Sequence, residues 1–493
     1  MGIVHDEWFF SATLRFSEKN PLTYPTNQKP NKSEQETNIM TESTRHLTAD
    51  RSRRGFLKAS GVLAGAAITL PIMPQRVHAS GSDILKIGLI GCGGRGRGAA
   101  VDALSADPNT ELYAVADVFP ERTQATMEAL RNYFSFGERI TATPDRCFEG
   151  FDAYQKLIAT EVDVVLIAAP TYFHPHFLKA SIEAGKHTFC EKTHAVDSPG
   201  VRMVLEATAL AKEKKLSVVS GLAWRYDTGA IETIKRVHDG EIGEIIALEE
   251  ICNTGSLPSS GSPSFGRSPE RTEMQYQIDR WYNFTWLSCD LPGLNLVHHV
   301  DKASWAMKDE TPISCWGTGG RQTRTASEYG QIWDHHAIVF EYANGVRLNA
   351  YCRQQNGTYG QVTDRYFGTK GMCDLLAYQL NKMDANRTSI WRFPGGASNR
   401  FLLEQDTLLK SIRSGNPVNN GRYMAHSSLM AIMATWACYT GVPITWDEAM
   451  NSEYVIGPAS PNEITWETVP PVVLDAEGEY PGFSPGITPF PMK

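Results

Sequence analysis

The sequence predicts an α/β protein in two parts, a doubly wound parallel sheet of the Rossmann type followed by an α+β region with an open, mainly antiparallel sheet. Three observations predict it. From Ile84 to about Gly221, apolar strand-like runs alternate with helical segments. The first of these runs, Leu85–Ile90, breaks abruptly into glycines. Beyond Trp224 the pattern becomes strand-rich, and an Asn344-Gly345 pair reads as a hairpin turn.

Composition sets the bounds. With 493 residues, 42% hydrophobic and 21% charged, the chain is long enough for two or three ordinary globular domains. A net charge of -8 and no dense basic stripe give no electrostatic reason to expect nucleic acid as a partner. The nine cysteines form no C-x-x-C pair, which argues against a zinc site or a disulfide framework, and no metal site is expected.

Taken in order, residues 1–50 have no usable periodicity and are read as a disordered extension, with Met40 an alternative start. Residues 51–79 read as an export signal: Ser52-Arg-Arg-Gly-Phe-Leu-Lys58 matches the twin-arginine motif, an apolar stretch follows, and Val77-His-Ala79 offers a cleavage site. That signal implies the twin-arginine export machinery as a partner, a periplasmic address, and folding before export, so a cofactor would travel inside the protein and be tightly held.

The first domain is placed at 80–222. Gly91, Gly93 and Gly96, with Gly94 and Arg95 between the last two, stand as G-x-G-x-x-G. That spacing allows a tight turn, close backbone approach to a pyrophosphate and close helix packing, and a helix starting near Arg95 offers free N–H groups to phosphate. A second strand, Glu111–Asp117, ends in an acid twenty-one residues beyond Gly96. A carboxylate there accepts from the adenosine ribose and repels a 2′-phosphate, so NAD is preferred and NADP is the alternative; Arg122 would weaken that preference if it turned toward the ribose. Further strands are read at Val162–Pro170, Thr188–Glu191 and Leu216–Ser220, with helices at Pro175–Ala184 and Pro199–Lys215. Ligands bind outside the carboxyl ends of such strands. The turns Pro170–His174, with Thr171 and His174, and Glu191–His194 are therefore placed at the nicotinamide half.

The second domain, 223–457, is expected to begin with Arg225 and Tyr226 in the cleft and a helix at Ala230–Asp239. Strands follow at Ile242–Ile251, His336–Tyr342, Val346–Cys352 and Arg365–Gly368, and a late helix at Met424–Thr440. The Ser/Pro/Gly-rich run Gly255–Pro269 is a surface loop, and 458–493 is an extended tail.

Together these residues resemble the Gfo/Idh/MocA family of nicotinamide-dependent sugar and polyol oxidoreductases, over roughly Ile84 to Asp447. The likeness rests on the glycine turn, Glu191-Lys-Thr where the family usually has Glu-Lys-Pro, Arg225-Tyr-Asp, Asp239-Gly-Glu-Ile-Gly243 and Val297-His-His-Val-Asp-Lys-Ala-Ser-Trp305. The exported members with segments like Trp281–Leu287 and Asp334-His-His336 are the most similar.

The resemblance implies that Lys192 lies between nicotinamide and substrate and acts on the hydroxyl that loses hydride, while His298 contacts that hydroxyl. A lysine can do so only where burial or a neighbouring charge lowers its pKa. Glu191 reads as a support for the turn or cofactor. Two departures stand out: Thr193 replaces proline, and Leu294 occupies a position that is often acidic. Either Lys192 and His298 suffice, or Asp290 or Asp279 supplies the missing carboxylate, or dehydrogenation is impaired.

Substrate contacts are expected from Arg225, Tyr226, Trp281 and His335. An ion pair with Asp227 is the alternative for Arg225, and core packing for the Trp281, Tyr282, Phe284 and Trp286 group. His335 and His336 fall on opposite strand faces, so at most one reaches the cleft. The resulting expectation is a periplasmic NAD-dependent oxidoreductase of a sugar, glycoside or polyol, and a homo-oligomer. The alternatives are a redox-neutral NAD-dependent glycosidase and a non-catalytic sugar-binding protein.

Overall fold

The computed structural model describes residues 84–132, 136–256, 267–268 and 270–489. The twin-arginine motif, its cleavage site, Met40 and most of the Gly255–Pro269 loop lie outside the described residues.

The first sheet is built from β1 (Leu85–Ile90), β2 (Thr110–Asp117), β3 (Cys147–Glu149), β4 (Val164–Ile167), β5 (His187–Cys190) and β6 (Val218–Ser220). Every pair in it is parallel, and the order is β3-β2-β1-β4-β5-β6. The chain reverses direction across the sheet between β1 and β4, so the crevice for a dinucleotide opens at their carboxyl ends. Helices α1 (Gly94–Ala106), α2 (Pro120–Arg131), α3 (Ala153–Ile158), α4 (His174–Glu183) and α5 (Ser198–Glu213) connect the strands. β1 and β4 are almost wholly buried because helices cover both faces, hence their unbroken apolar runs.

After α6 (Thr228–His238) a second sheet begins with β7 (Ile245–Thr254). Then come α7 (Glu273–Asp279), α8 (Thr285–Ser288), a π-turn at Pro292–Leu296 and α9 (Val297–Ala306). The remaining strands are β8 (Ser314–Gly320), β9 (His335–Glu341), β10 (Arg347–Gln354), β11 (Gln361–Gly368), β12 (Met372–Asp374), β13 (Gln379–Asn381), β14 (Ser389–Arg392) and β15 (Ile444–Thr445). Their order is β14-β13-β12-β11-β7-β10-β9-β8-β15, antiparallel except for the β7–β10 pair. Gly345, at φ +84, closes the β9–β10 hairpin.

Two long helices lie late in the chain, before a short one at Trp446–Asn451. The helix α11 (Gly421–Thr440) is buried along nearly its whole length and packs on α5, α9 and β8. The helix α10 (Arg400–Ser414) returns to the first sheet and packs on α1. Its Leu408, Leu409 and Ile412 join the cluster of Leu89, Ala99 and Ala103, each contributing about 2 kcal/mol by burial. Arg413 of α10 reaches back to Asp107 and to the Asn109 carbonyl.

Candidate functional site

The glycine turn has the shape a pyrophosphate needs. Gly91 sits at φ +93, and a Cβ there would lie 2.5 Å from the Ala168 carbonyl oxygen. A Cβ on Gly96 would meet the Gly91 carbonyl oxygen at 1.9 Å, so the helix approaches this closely only with glycine. Cβ atoms on Gly93 and Gly94 would meet nothing within 4 Å: the space beside the α1 N-terminus is open. At the end of β2, Asp117 accepts from the backbone N–H of Cys92 (2.7 Å) and of Phe119 (3.0 Å), which ties the ribose-binding position to the turn. Arg122 is bonded to Asp279 at 2.5 Å and stacked on Phe119, and its charge lowers the pKa of Asp117 against the raising effect of burial. These residues fit a dinucleotide.

At the other end of the crevice Lys192 follows β5. Its Nζ donates to the carbonyl oxygen of Leu294 at 2.6 Å, and Thr193 Oγ1 donates to the Gly293 carbonyl. Both acceptors belong to the π-turn, whose i→i+5 pattern leaves carbonyls free to bond elsewhere. The threonine that replaces proline thus adds a tie that proline cannot make. Burial lowers the Lys192 pKa, opposed by the negative charge of Glu191 and assisted by Arg95. One residue into α9, His298 has a buried Nδ1 with no hydrogen-bond partner among the described residues. Burial, then the Lys192 ammonium, hold its pKa well below the usual histidine value, so it is neutral near pH 7. A depressed lysine beside a neutral, partly buried histidine can take a proton from a bound hydroxyl and hold that hydroxyl in place.

The profile described as "Oxidoreductase family, NAD-binding Rossmann fold" (GFO_IDH_MocA) matches residues 85–222. An inositol 2-dehydrogenase of Rhizobium meliloti is 30% identical over 276 residues, covering 56% of this chain and 70% of that protein. The chain belongs to the Gfo/Idh/MocA oxidoreductase family. An inositol 2-dehydrogenase of Salmonella typhimurium is 28% identical over 298 residues, 59% of this chain and 74% of its own. Among solved structures, a levoglucosan dehydrogenase in complex with NADH and levoglucosan has a TM-score of 0.56 at 17% identity, covering 74% of this chain and 99% of its own. An aldose-aldose oxidoreductase from Caulobacter crescentus has a TM-score of 0.56 at 18% identity, covering 73% and 99%. These likenesses match the Rossmann sheet and second sheet described above.

Within this Gfo/Idh/MocA fold, several residues picked from the sequence stand elsewhere than expected. Arg95 is bound by carboxylates rather than open to phosphate: Glu191, Glu404 at 3.0 Å and Asp102 at 3.5 Å surround its guanidinium. Glu191 also accepts from the Lys192 N–H at 3.2 Å and so braces the lysine turn. His174 is buried, with Nδ1 2.6 Å from the Thr193 carbonyl oxygen and Nε2 2.7 Å from that of Ala169; its ring bridges β4 to the lysine turn and leaves no nitrogen for a cofactor. Thr171 is buried at the start of the turn before α4.

Two of the four expected substrate contacts are corrected, Arg225 and Tyr226, and Trp281 and His335 are half-buried. Arg225 forks onto Asp301 (2.9 and 3.1 Å) and Asp309 (2.6 Å) and stacks on Tyr423, so its donors are spent inside the fold. Tyr226 donates to Asn420. Trp286 and Phe284 are core residues, and Trp281 is half-buried against Tyr282. His335, also half-buried, has Nδ1 2.8 Å from Asp334, while His336 is buried with Nε2 3.2 Å from Asp290. Asp290 accepts from the Leu291 and Trp333 N–H groups and from Tyr439, so it is held in the core and gives no carboxylate to replace Leu294. Asp279 is shared by Arg122 and Arg271.

Among the described residues one cluster has metal-ligand geometry, Glu250, His299 and Asp364, between α9 and the second sheet. The Lys302 ammonium already sits on Asp364, His299 bonds the same carboxylate at 2.5 Å, and Tyr366 donates to Glu250 at 3.1 Å. The Lys302 ammonium supplies positive charge to this cluster through Asp364.

The sequence reading missed Glu404, fully buried beside Arg95, whose pKa is pushed well above the carboxylate range by burial and by the neighbouring Glu191 and Asp102. The signal was available: Asn399 as cap, apolar residues at helical spacing from Phe401 to Ile412, and Gly415 as terminator.

Proposed function

We propose that the protein is an NAD-dependent dehydrogenase of a cyclitol, sugar or glycoside hydroxyl, exported to the periplasm by the twin-arginine route with its cofactor tightly held. The observation that carries the reading is the convergence of Lys192 and His298 at the nicotinamide end of the crevice. NAD, when bound, supplies the hydride acceptor. Asp117 holds the ribose hydroxyls, and both arginines near that end are tied to Asp279, which supports NAD over NADP. Lys192 in its neutral form takes the hydroxyl proton. His298, whose ring is only partly buried, orients the same hydroxyl, and the Leu294 carbonyl keeps the lysine amine aimed.

The outer face of the second sheet, carrying Trp316, Val339, Tyr351 and Ile251 away from α9 and α11, supports a homo-oligomer.

The test is to purify the exported protein, denature it, and identify the released nucleotide by mass spectrometry before and after exposure to a panel of cyclitols, sugars and glycosides. Release of NAD, converted to NADH by a panel member, is expected. Glycoside cleavage with NAD left oxidised points instead to redox-neutral hydrolysis, and absence of any bound or bindable nucleotide overturns the proposal.

A further inference from the structure

We propose that Trp466, carried on the C-terminal tail, forms the outer wall of the adenine site and retains the adenosine half of the cofactor. The proposal rests on the reading of the β1–α1 turn as an NAD site.

A cavity of about 410 Å³ opens immediately beyond Asp117. The loop after β2 lines it with Phe119, the first turn of α2 with Glu121, the end of β3 with Glu149, the segment entering α7 with Arg271, α7 with Gln275, and the tail with Trp466. Glu149 is the register partner of Asp117, so the cavity lies at the carboxyl ends of β2 and β3. With the pyrophosphate at the glycine turn and the ribose at Asp117, the base continues to the β2–β3 side. The cavity is therefore where an adenine ring arrives.

An adenine needs a flat apolar wall, and two aromatic rings line this cavity, Phe119 and Trp466. Phe119 is only 6% exposed, with the Trp466 ring stacked on it at 5.3 Å and 29° and the Arg122 guanidinium 4.5 Å from its ring centre. Phe151 packs against Trp466 at 4.6 Å. Trp466 is half-buried, lines the cavity, and is the aromatic ring that the tail brings to it. Glu121 and Glu149 supply carboxylates of the kind that accept from an exocyclic amine.

The tail is fastened on both sides of this cavity. On the first domain, Ile456 N–H donates to Asp197 (3.2 Å), Tyr172 Oη to the Pro458 carbonyl (2.7 Å) and Tyr154 Oη to Asn462 (2.7 Å). On α7, Gln277 Nε2 donates to the Val472 carbonyl at 2.7 Å. Trp466 lies between these fastenings, so a nucleotide leaving past it must displace a segment anchored at both ends.

The experiment measures binding of NAD, ADP-ribose and nicotinamide mononucleotide to the full-length apoprotein by calorimetry, and NAD release by stopped flow, for the native protein and for Trp466→Ala and Trp466→Phe. Trp466→Ala is expected to weaken NAD and ADP-ribose about 10- to 100-fold, the range of one aromatic–base stack. NAD release should quicken to match, the mononucleotide should bind as before, and Trp466→Phe should restore most of the affinity. Where the alanine variant does not fold, Trp466→Leu keeps an apolar cover without a flat ring, and the same loss is expected. Unchanged ADP-ribose binding in the variants, with tight binding by the native protein, overturns the role of Trp466 and leaves the NAD site standing. A native protein that binds neither NAD nor ADP-ribose removes both readings.

Discussion

Lys192 donates its Nζ proton to the carbonyl oxygen of Leu294, 2.6 Å away and 102 positions along the chain. This bond fixes the amine by a backbone oxygen instead of a carboxylate side chain. An acid at position 294 would hold the lysine protonated; a carbonyl orients it with less charge to stabilise the cation. The first prediction follows from that difference and from burial, both of which favour the neutral amine. The value of kcat/KM should rise with pH as Lys192 loses its proton, with an apparent pKa below the ordinary 10.5 of lysine. Lys192→Arg, which holds its proton, should remain inactive across that range. A rate independent of pH, or an active arginine variant, contradicts the assignment.

Arg225 is predicted to act on stability rather than on substrate. Its partner Asp301 has a 1% exposed side chain, so Arg225→Met strands a buried carboxylate and should cost about 3–5 kcal/mol. Urea unfolding checks the cost. A substrate ligand would behave in the opposite way, with KM raised and the unfolding midpoint unchanged.

Glu404 gives a prediction about pH and stability. Its folded pKa is raised, so between the ordinary 4.5 and the raised value the folded state holds a proton that the unfolded state has lost. Stability contributed by this group therefore falls as pH rises through that window. Glu404→Gln should remove this part of the slope and keep the bond from Arg95. Thermal unfolding of both proteins across the window measures it, and parallel curves would show that Glu404 is already ionised.

Asp117→Ala should weaken NAD by about tenfold or more and narrow the preference over NADP, because the carboxylate both accepts from the ribose and repels a 2′-phosphate. The measurement is the pair of dissociation constants. Equal NAD affinity in the variant would mean that Asp117 serves only the Cys92 and Phe119 N–H groups.

Much of this architecture was legible in the sequence where function is written in backbone geometry. Gly91 and Gly96 declare their turn because any side chain there collides, and β1 and β4 declare burial on both faces by unbroken apolar runs. Lys192 was legible from its place after β5. Its acceptor was not, since a carbonyl freed by a π-turn leaves no mark in side-chain pattern. Arg225 shows the other limit: Asp301, which decides its role, lies 76 positions away, whereas Asp227 was the partner that proximity suggested. Trp466 lies in an extended tail with no periodicity, and only the folded chain brings it beside Asp117's neighbour Phe119.

The central claim is that Lys192 carries proton transfer in an NAD-dependent oxidation. The direct measurement is single-turnover reduction of enzyme-bound NAD, followed by the absorbance of reduced nicotinamide, on mixing with the substrate that the panel identifies, for native protein and Lys192→Met. Rapid reduction in the native protein, and none in a folded variant that still binds NAD, is the predicted result. Reduction at the native rate in Lys192→Met would contradict it.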